Sequence, residues 1–131
     1  MKAKVLIADD DIDNRTIAQD ALELAGYDVV TAVDGQEALD KIASEKPDVV
    51  LLDMSMPKLD GWEVARRVRD DKDLAPAAII AFTAHALVGE ELKAKAAGCD
   101  DYLSKPCMPK AIVEKVALWI NRSRARSAEA A

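Results

Sequence analysis

The sequence predicts an α/β fold in which a five-stranded parallel sheet carries helices on both faces. Short apolar runs alternate five times with helical patterns along the chain. The run Val49–Leu52 is apolar throughout, as expected of a strand buried on both sides of a parallel sheet. The length of 131 residues suffices for one domain with a substantial core but not for two. A single layered α/β domain is therefore expected.

The charge balance argues against a nucleic-acid-binding domain. The chain contains 18 Lys and Arg residues and 24 Asp and Glu residues, which gives a net charge of −6. The last ten residues carry +2, from Arg122, Arg124, Arg126 and Glu129, so residues 1–121 carry −8. Phosphate neutralisation requires clustered Lys and Arg, which this acidic body lacks.

No apolar run is long enough to span a membrane, and no signal peptide is evident, so a cytoplasmic protein without a membrane partner is expected. Cys99 and Cys107 have no further metal-ligating residues at useful spacing. Free thiols in a reducing compartment are the expectation.

The first half of the chain predicts three strands and two helices. The strands are Lys4–Ala8, Tyr27–Ala32 and the run that ends at Asp53. The first helix spans Ile12–Ala25 and ends at Gly26. The second begins at a capping box formed by Asp34 and Glu37 and ends before Pro47. The expected buried positions of these helices are Ile12, Ile17, Ala21, Leu22, Leu24, Ala25, Ala38, Ile42 and Ala43.

The second half predicts two more strands and three helices. The strands are Ala77–Phe82, followed by Thr83, and Asp101–Ser104. The helices begin at the Asp60 cap, at Ala86 and at Pro109, a position that proline tolerates. The fourth helix closes at Gly98, and Asn121 onward predicts a frayed end. The expected apolar positions are Trp62, Val64, Ala65, Val68, Ile112, Val113, Val116, Ala117, Trp119 and Ile120.

Polar residues follow four of the predicted strands: Asp9 and Asp10, Asp53, Thr83 and Lys105. Because the carboxyl ends of parallel strands share one edge, these side chains are expected to converge there. Three neighbouring carboxylates repel one another unless a cation intervenes, and oxygen ligands without His or Cys favour Mg²⁺. A lysine and a hydroxyl at the same edge suit a phosphoryl group, and a carboxylate can accept it as a nucleophile. The residues therefore predict a magnesium-dependent phosphoryl site.

These residues resemble the receiver domain of two-component response regulators. The matching motifs are Asp9-Asp10, Asp53, Met56-Pro57 through Asp60-Gly61, Thr83-Ala84 and Lys105-Pro106, in that order. The resemblance covers residues 2–121, which divides the chain into a receiver domain, 1–121, and a flexible Arg/Ala-rich tail, 122–131. It implies a flavodoxin-like (βα)5 fold with strand order 2-1-3-4-5, which periodicity alone does not give.

The resemblance implies a chemical role for each matching position. Asp53 would accept a phosphoryl group from a phosphohistidine. Mg²⁺ would be held by Asp10, Asp53 and the backbone carbonyl of Ser55, with Asp9 acting through water. Lys105 and Thr83 would contact the phosphoryl oxygens, and a cis Lys105-Pro106 bond is implied as well.

Signalling would follow from a switch of surface. Thr83 and the aromatic Tyr102 would move together, changing the surface formed by the fourth helix, fifth strand and fifth helix. The implied partners are a sensor histidine kinase or histidine phosphotransfer protein and a downstream protein target. The chain would be a monomer or a phosphorylation-dependent dimer, and it would catalyse only its own phosphorylation and dephosphorylation.

Some positions carry two interpretations. Ser55 lies two residues after Asp53, and His85 lies two residues after Thr83. These two residues would tune the dephosphorylation rate, or His85 would be a solvated loop residue without a role. Asp11 and Asp13 are expected to cap the first helix rather than bind metal. The Arg-rich tail would be a solvated end or a docking segment for an acidic partner.

Alternative functions remain. The chain would be a stand-alone receiver, a receiver excised from a hybrid kinase or larger regulator, or an interaction module that does not use phosphorylation. A haloacid-dehalogenase-type phosphatase is disfavoured because Ser55 stands where a second Asp is needed. A flavodoxin-like FMN protein is disfavoured because three acids, Asp9–Asp11, follow the first strand.

Overall fold

The computed structural model describes residues 3–54, 56, 59–74, 77–83, 90–104 and 108–130, and only the backbone of 83, 90, 91 and 123–130. Five parallel strands form one sheet in the order β2-β1-β3-β4-β5, which confirms the expected order. The strands are β1 (Lys4–Ala8), β2 (Asp28–Ala32), β3 (Val49–Asp53), β4 (Ala78–Thr83) and β5 (Asp101–Ser104). The helices are α1 (Ile12–Leu24), α2 (Gly35–Glu45), α3 (Gly61–Asp70), α4 (Glu90–Ala97) and α5 (Pro109–Ala130).

The two faces of the sheet bury separate apolar layers. Leu6, Val50 and Leu52 point into the layer that also contains buried residues of α2, α3 and α4. Val5 and Leu51 point into the opposite layer, which contains residues of α1 and α5. Because successive residues of a strand face opposite sides of the sheet, each continuous apolar run contributes side chains to both layers. Helices on both faces, as predicted, cover them.

Aspartates cap the first three helices as the sequence predicted. The side chains of Asp11, Asp34 and Asp60 each accept a hydrogen bond from backbone N–H groups in the first turn. Glu37 also turns back and accepts from the Val33 N–H at 2.7 Å, close to a full capping box. Glu63 does not do so, because its carboxylate pairs with arginines of its own helix.

The predicted buried face of α1 is largely wrong. Among the positions expected inside, the exposed ones are Ile12, Ile17, Leu24 and Ala25, together with Ala43 of α2. Leu22 is buried as predicted, and the other buried residue of α1 is Ala18, about one helical turn before it. The helix therefore packs through a narrow stripe, and its remaining apolar side chains lie outside that stripe.

The fifth helix is longer than predicted. It continues to Ala130, whereas the sequence predicted an irregular segment from Asn121. Ile112, Val116 and Ile120 are buried, so the packed part of the helix ends near the predicted position. Alanine and arginine in the last ten residues are good helix formers, which accounts for the continuation. The predicted start of the fourth helix at Ala86 lies outside the described residues.

Two further expectations concern thiols and membranes. Cys99 is a free, buried thiol, and burial raises its pKa to about 12, so it is not ionised at neutral pH. Cys107 lies outside the described residues. Within the described part of the chain, no helix combines the length and apolarity that crossing a bilayer requires.

Candidate functional site

Three carboxylates meet at the carboxyl-terminal edge of the sheet. One oxygen from each of Asp9, Asp10 and Asp53 lies within 4.8 Å of the others. Asp9 and Asp53 are almost fully buried, with 1% and 3% of their surfaces exposed, whereas Asp10 is exposed. The site is thus an acidic pocket with one open side, and the predicted convergence of these residues is confirmed.

The loop after β1 is fixed by local hydrogen bonds. The Asp9 N–H donates to the Ala32 carbonyl at 3.0 Å, which continues the pairing of β1 with β2. The Asp9 carboxylate accepts from the Asp11 N–H at 2.9 Å. Asp11 in turn caps α1 through the Asp13 and Asn14 N–H groups, which confirms capping for Asp11. Asp13 lies in the first turn of α1, where the helix dipole stabilises a negative charge.

The turn after β3 depends on a glycine. The Gly61 N–H donates to the Met54 carbonyl at 3.3 Å, so α3 begins directly against the end of β3. A Cβ at position 61 would lie 2.7 Å from both the Asp53 carbonyl oxygen and the Met54 Cα. Only glycine permits this approach without displacing the backbone of Asp53. Met54 and Met56 are buried, as expected of side chains that fill this turn.

The electrostatics of the pocket favour a bound cation. Carboxylates whose oxygens lie within 4.8 Å of one another repel unless a counter-charge acts on them. Oxygen donors alone, with one side open to water, suit Mg²⁺, which keeps several waters. Asp9, Asp10 and Asp53 therefore fit the predicted metal in chemistry and spacing.

The fourth and fifth strands bring their ends to the same edge. In the register of β3 with β4, Asp53 pairs with Phe82, the residue before Thr83. Thr83 pairs with Ser104, the last residue of β5 and the one before Lys105. The side chain of Thr83 and the whole of Ser55, His85, Lys105 and Pro106 lie outside the described residues, so their roles stay predictions.

Tyr102 is half-buried in β5 and packs against the core layer of α2, α3 and α4. Its neighbour Asp101 points toward α5. The Asp101 carboxylate accepts from the Trp119 Nε1–H at 2.7 Å and lies 3.2 Å from Lys115 Nζ. Burial opposes ionisation of Asp101, yet hydrogen bonds from Trp119, Tyr102 and Lys115 together hold its pKa below the usual value. Trp119 thus packs as predicted and also holds a carboxylate.

The fold uses three polar contacts that the sequence does not predict. Arg15 of α1 donates to the Asp9 carbonyl, and Arg69 of α3 pairs with Asp100. Asp101 belongs to the α5 contact just described. Each contact joins residues whose spacing has no strand or helix period, so no pattern in the sequence indicates it.

The chain belongs to the response regulator receiver domain family, whose model matches residues 5–117. Among solved structures, it resembles the chemotaxis response regulator CheY4 of Vibrio cholerae. That likeness has a TM-score of 0.85 and 33% identity, and it covers 91% of this chain and 99% of that one. A CheY-like receiver domain protein from Methanospirillum hungatei gives a TM-score of 0.88 at 26% identity, covering 96% and 99% of the two chains.

Curated relatives are similar in sequence but longer. The alkaline phosphatase synthesis transcriptional regulatory protein PhoP of Bacillus subtilis is 41% identical over 94% of this chain and 50% of its own length. The probable transcriptional regulator ycf27 of Guillardia theta is 43% identical over 93% of this chain and 47% of its own length. The chain therefore spans about half the length of these relatives.

Proposed function

We propose that this protein is a phosphoacceptor of a two-component or phosphorelay system, with Asp53 as the residue that receives the phosphoryl group. The observation that carries the proposal is the convergence of Asp9, Asp10 and Asp53 within 4.8 Å at the carboxyl edge of a receiver fold. Phosphoryl transfer depends on positioning and on charge neutralisation. The pocket supplies the positioning, and a cation bound by its three carboxylates would supply the neutralisation.

Each residue of the pocket has a distinct part in this proposal. Asp10, Asp53 and the backbone carbonyl of Ser55 would hold Mg²⁺, and Asp9 would act on it through water. When bound, the cation neutralises charge on the pocket and on the incoming phosphoryl group. Asp53 supplies the nucleophilic oxygen, which forms the new O–P bond as the bond to the donor histidine nitrogen breaks. Lys105 and Thr83 contact the phosphoryl oxygens, and Ser55 with His85 sets the rate of hydrolysis.

Output follows from a change of surface rather than from catalysis on a second substrate. Thr83 and Tyr102 respond to the new charge on Asp53, and the α4-β5-α5 surface changes its preference for a protein target. The phosphoryl donor is a sensor histidine kinase or a histidine phosphotransfer protein in the cytoplasm. The acidic charge of residues 1–121 argues against nucleic-acid contact by this domain, although two longer relatives are named as transcriptional regulators.

A receiver that belongs to a larger regulator is the second candidate. The curated relatives are about twice as long as this chain, whereas the solved chemotaxis regulator CheY4 is covered over 99% of its length. The chemistry proposed for Asp53 is the same in both cases.

Intact mass spectrometry after incubation with acetyl phosphate tests the proposal. We expect one phosphoryl adduct that requires Mg²⁺, is absent in Asp53→Asn and persists in Asp73→Asn, a control in the exposed loop after α3. An adduct that survives in Asp53→Asn would refute the assignment of the acceptor. Magnesium binding without any adduct, from acetyl phosphate or a phosphohistidine donor, would favour an interaction module that does not use phosphorylation.

A further inference from the structure

Arg15 reaches from α1 back to the loop that carries the acidic pair. Its Nη1 donates to the Asp9 carbonyl oxygen at 2.9 Å, across six residues of sequence. The Arg15 side chain is half-buried, so this hydrogen bond is partly shielded from water. The backbone of Arg15 is fixed as well, because its N–H donates to the Asp11 carbonyl at 3.0 Å in the first turn of α1.

The carbonyl that Arg15 holds belongs to the peptide unit joining Asp9 to Asp10. A peptide unit is planar, so fixing its oxygen also fixes the direction in which the chain enters Asp10. Two other hydrogen bonds hold Asp9 in place. Its N–H donates to the Ala32 carbonyl, and its carboxylate accepts from the Asp11 N–H. Asp10 is exposed, and because none of the described hydrogen bonds involves its carboxylate, the backbone that leads to Asp10 is the part of it that a neighbouring residue can fix.

Charge gives Arg15 a second, opposite influence. A guanidinium stays protonated in proteins, so Arg15 brings a permanent positive charge to the back of an acidic loop. That charge relieves repulsion among the carboxylates but also repels an incoming divalent cation. Removing it would weaken cation binding if placement of Asp10 dominates and strengthen cation binding if charge dominates.

We propose that Arg15 is a positioning residue of the cation site, which directs the Asp10 carboxylate toward Asp53 by holding the Asp9–Asp10 peptide. This inference rests on the proposed function, in which Asp9, Asp10 and Asp53 bind Mg²⁺. We expect the placement of Asp10 to outweigh repulsion between Arg15 and the cation, because the Arg15 guanidinium donates to the backbone carbonyl of Asp9. Partners outside the ligand set commonly change metal affinity by about 10- to 100-fold when they are removed.

Calorimetric titration with Mg²⁺ alone tests the inference on the wild type and on Arg15→Met, which keeps a long apolar stem without a donor. We expect the dissociation constant of Arg15→Met to rise about 10-fold. Arg15→Lys retains the positive charge and a donor, and its dissociation constant for Mg²⁺ is expected to lie between those of the wild type and Arg15→Met. Arg69→Met is the matched control, because Arg69 also holds backbone carbonyls but lies at the opposite edge of the sheet. It should lower stability without changing the Mg²⁺ affinity.

Equal or tighter Mg²⁺ binding by Arg15→Met would overturn the inference while leaving the proposed function intact. Should Arg15→Met fail to unfold cooperatively, Arg15→Lys decides: a dissociation constant about threefold higher supports positioning, and an unchanged one overturns it. If the wild type itself binds no Mg²⁺, the inference falls together with the proposed function.

Discussion

The two edges of the sheet use charge in opposite ways. At the carboxyl edge three carboxylates lie within 4.8 Å of one another. At the amino edge, just before β4 and β5 begin, Asp100 lies 2.5 Å from the Arg69 guanidinium. Among the described residues, the first arrangement brings together charges of one sign, whereas the second pairs a carboxylate with a guanidinium. The carboxyl edge, with excess negative charge, is therefore suited to binding a cation, whereas the amino edge, with balanced charge, supports the fold.

The balanced edge is a network of four described hydrogen bonds. Arg69 donates through Nε to the Gly98 carbonyl at 2.7 Å and through Nη1 to the Ala77 carbonyl at 2.9 Å. Its Nη2 donates to Asp100, which also accepts from the Ile79 N–H at 2.8 Å. These contacts join α3, the turn after α4 and the start of β4. These contacts help to hold α4 in place, because its buried residues among the described side chains 92–97 are small, namely Ala94 and Ala97.

The largest expected effect comes from breaking this network. Arg69→Met should lower the free energy of unfolding by about 2 kcal/mol, below the 3–5 typical of fully buried pairs because a quarter of each side chain is exposed. The loss leaves Asp100 without its countercharge and frees two carbonyls. Urea unfolding at neutral pH measures it.

Arg66→Met on the same helix is the control for that comparison. Arg66 pairs with Glu63 at the surface, where screening by water and salt leaves an ion pair with little effect on stability. Equal losses in Arg66→Met and Arg69→Met would contradict the role given to the amino edge.

A smaller effect is expected from Asp101, and it depends on pH. Because the pKa of Asp101 is lowered in the folded protein, its contribution to stability is present above the unfolded pKa, near 3.8, and disappears as the pH falls through the folded pKa. Melting temperatures of the wild type and Asp101→Asn should differ by a constant amount at neutral pH and converge below about pH 4. A difference that persists undiminished at pH 3 would show that the carboxylate charge is not what the Trp119 and Lys115 contacts stabilise.

The sequence predicts the sheet and the acidic pocket well because both depend on local rules. Apolar runs such as Val49–Leu52 define strands, and residues that follow parallel strands must share an edge. Asp11, Asp34 and Asp60 were recognisable as caps because capping needs only a short polar side chain before a helix. Strand order required the family resemblance.

What the sequence did not predict depends on distant or marginal contacts. Ile12 and Ile17 fit an apolar helix face, yet α1 buries only a narrow stripe through Ala18 and Leu22. Arg69 and Asp100 are 31 residues apart, and nothing in either segment indicates the pairing. The helix α5 continues past Asn121, where apolar residues become sparse, because alanine and arginine favour helix even without a buried face.

The most direct test of the carboxyl edge is the melting temperature of the wild type and Asp10→Asn, each with and without millimolar Mg²⁺. Removing one of the three carboxylates lowers the electrostatic repulsion in the pocket. A bound cation lowers the same repulsion by neutralising the charge. We therefore predict that Mg²⁺ raises the melting temperature of the wild type. Asp10→Asn should melt above the wild type in chelator and gain little from Mg²⁺. A wild type that is indifferent to Mg²⁺, or an Asp10→Asn variant that melts below it in chelator, would contradict the assignment of this edge as a cation site.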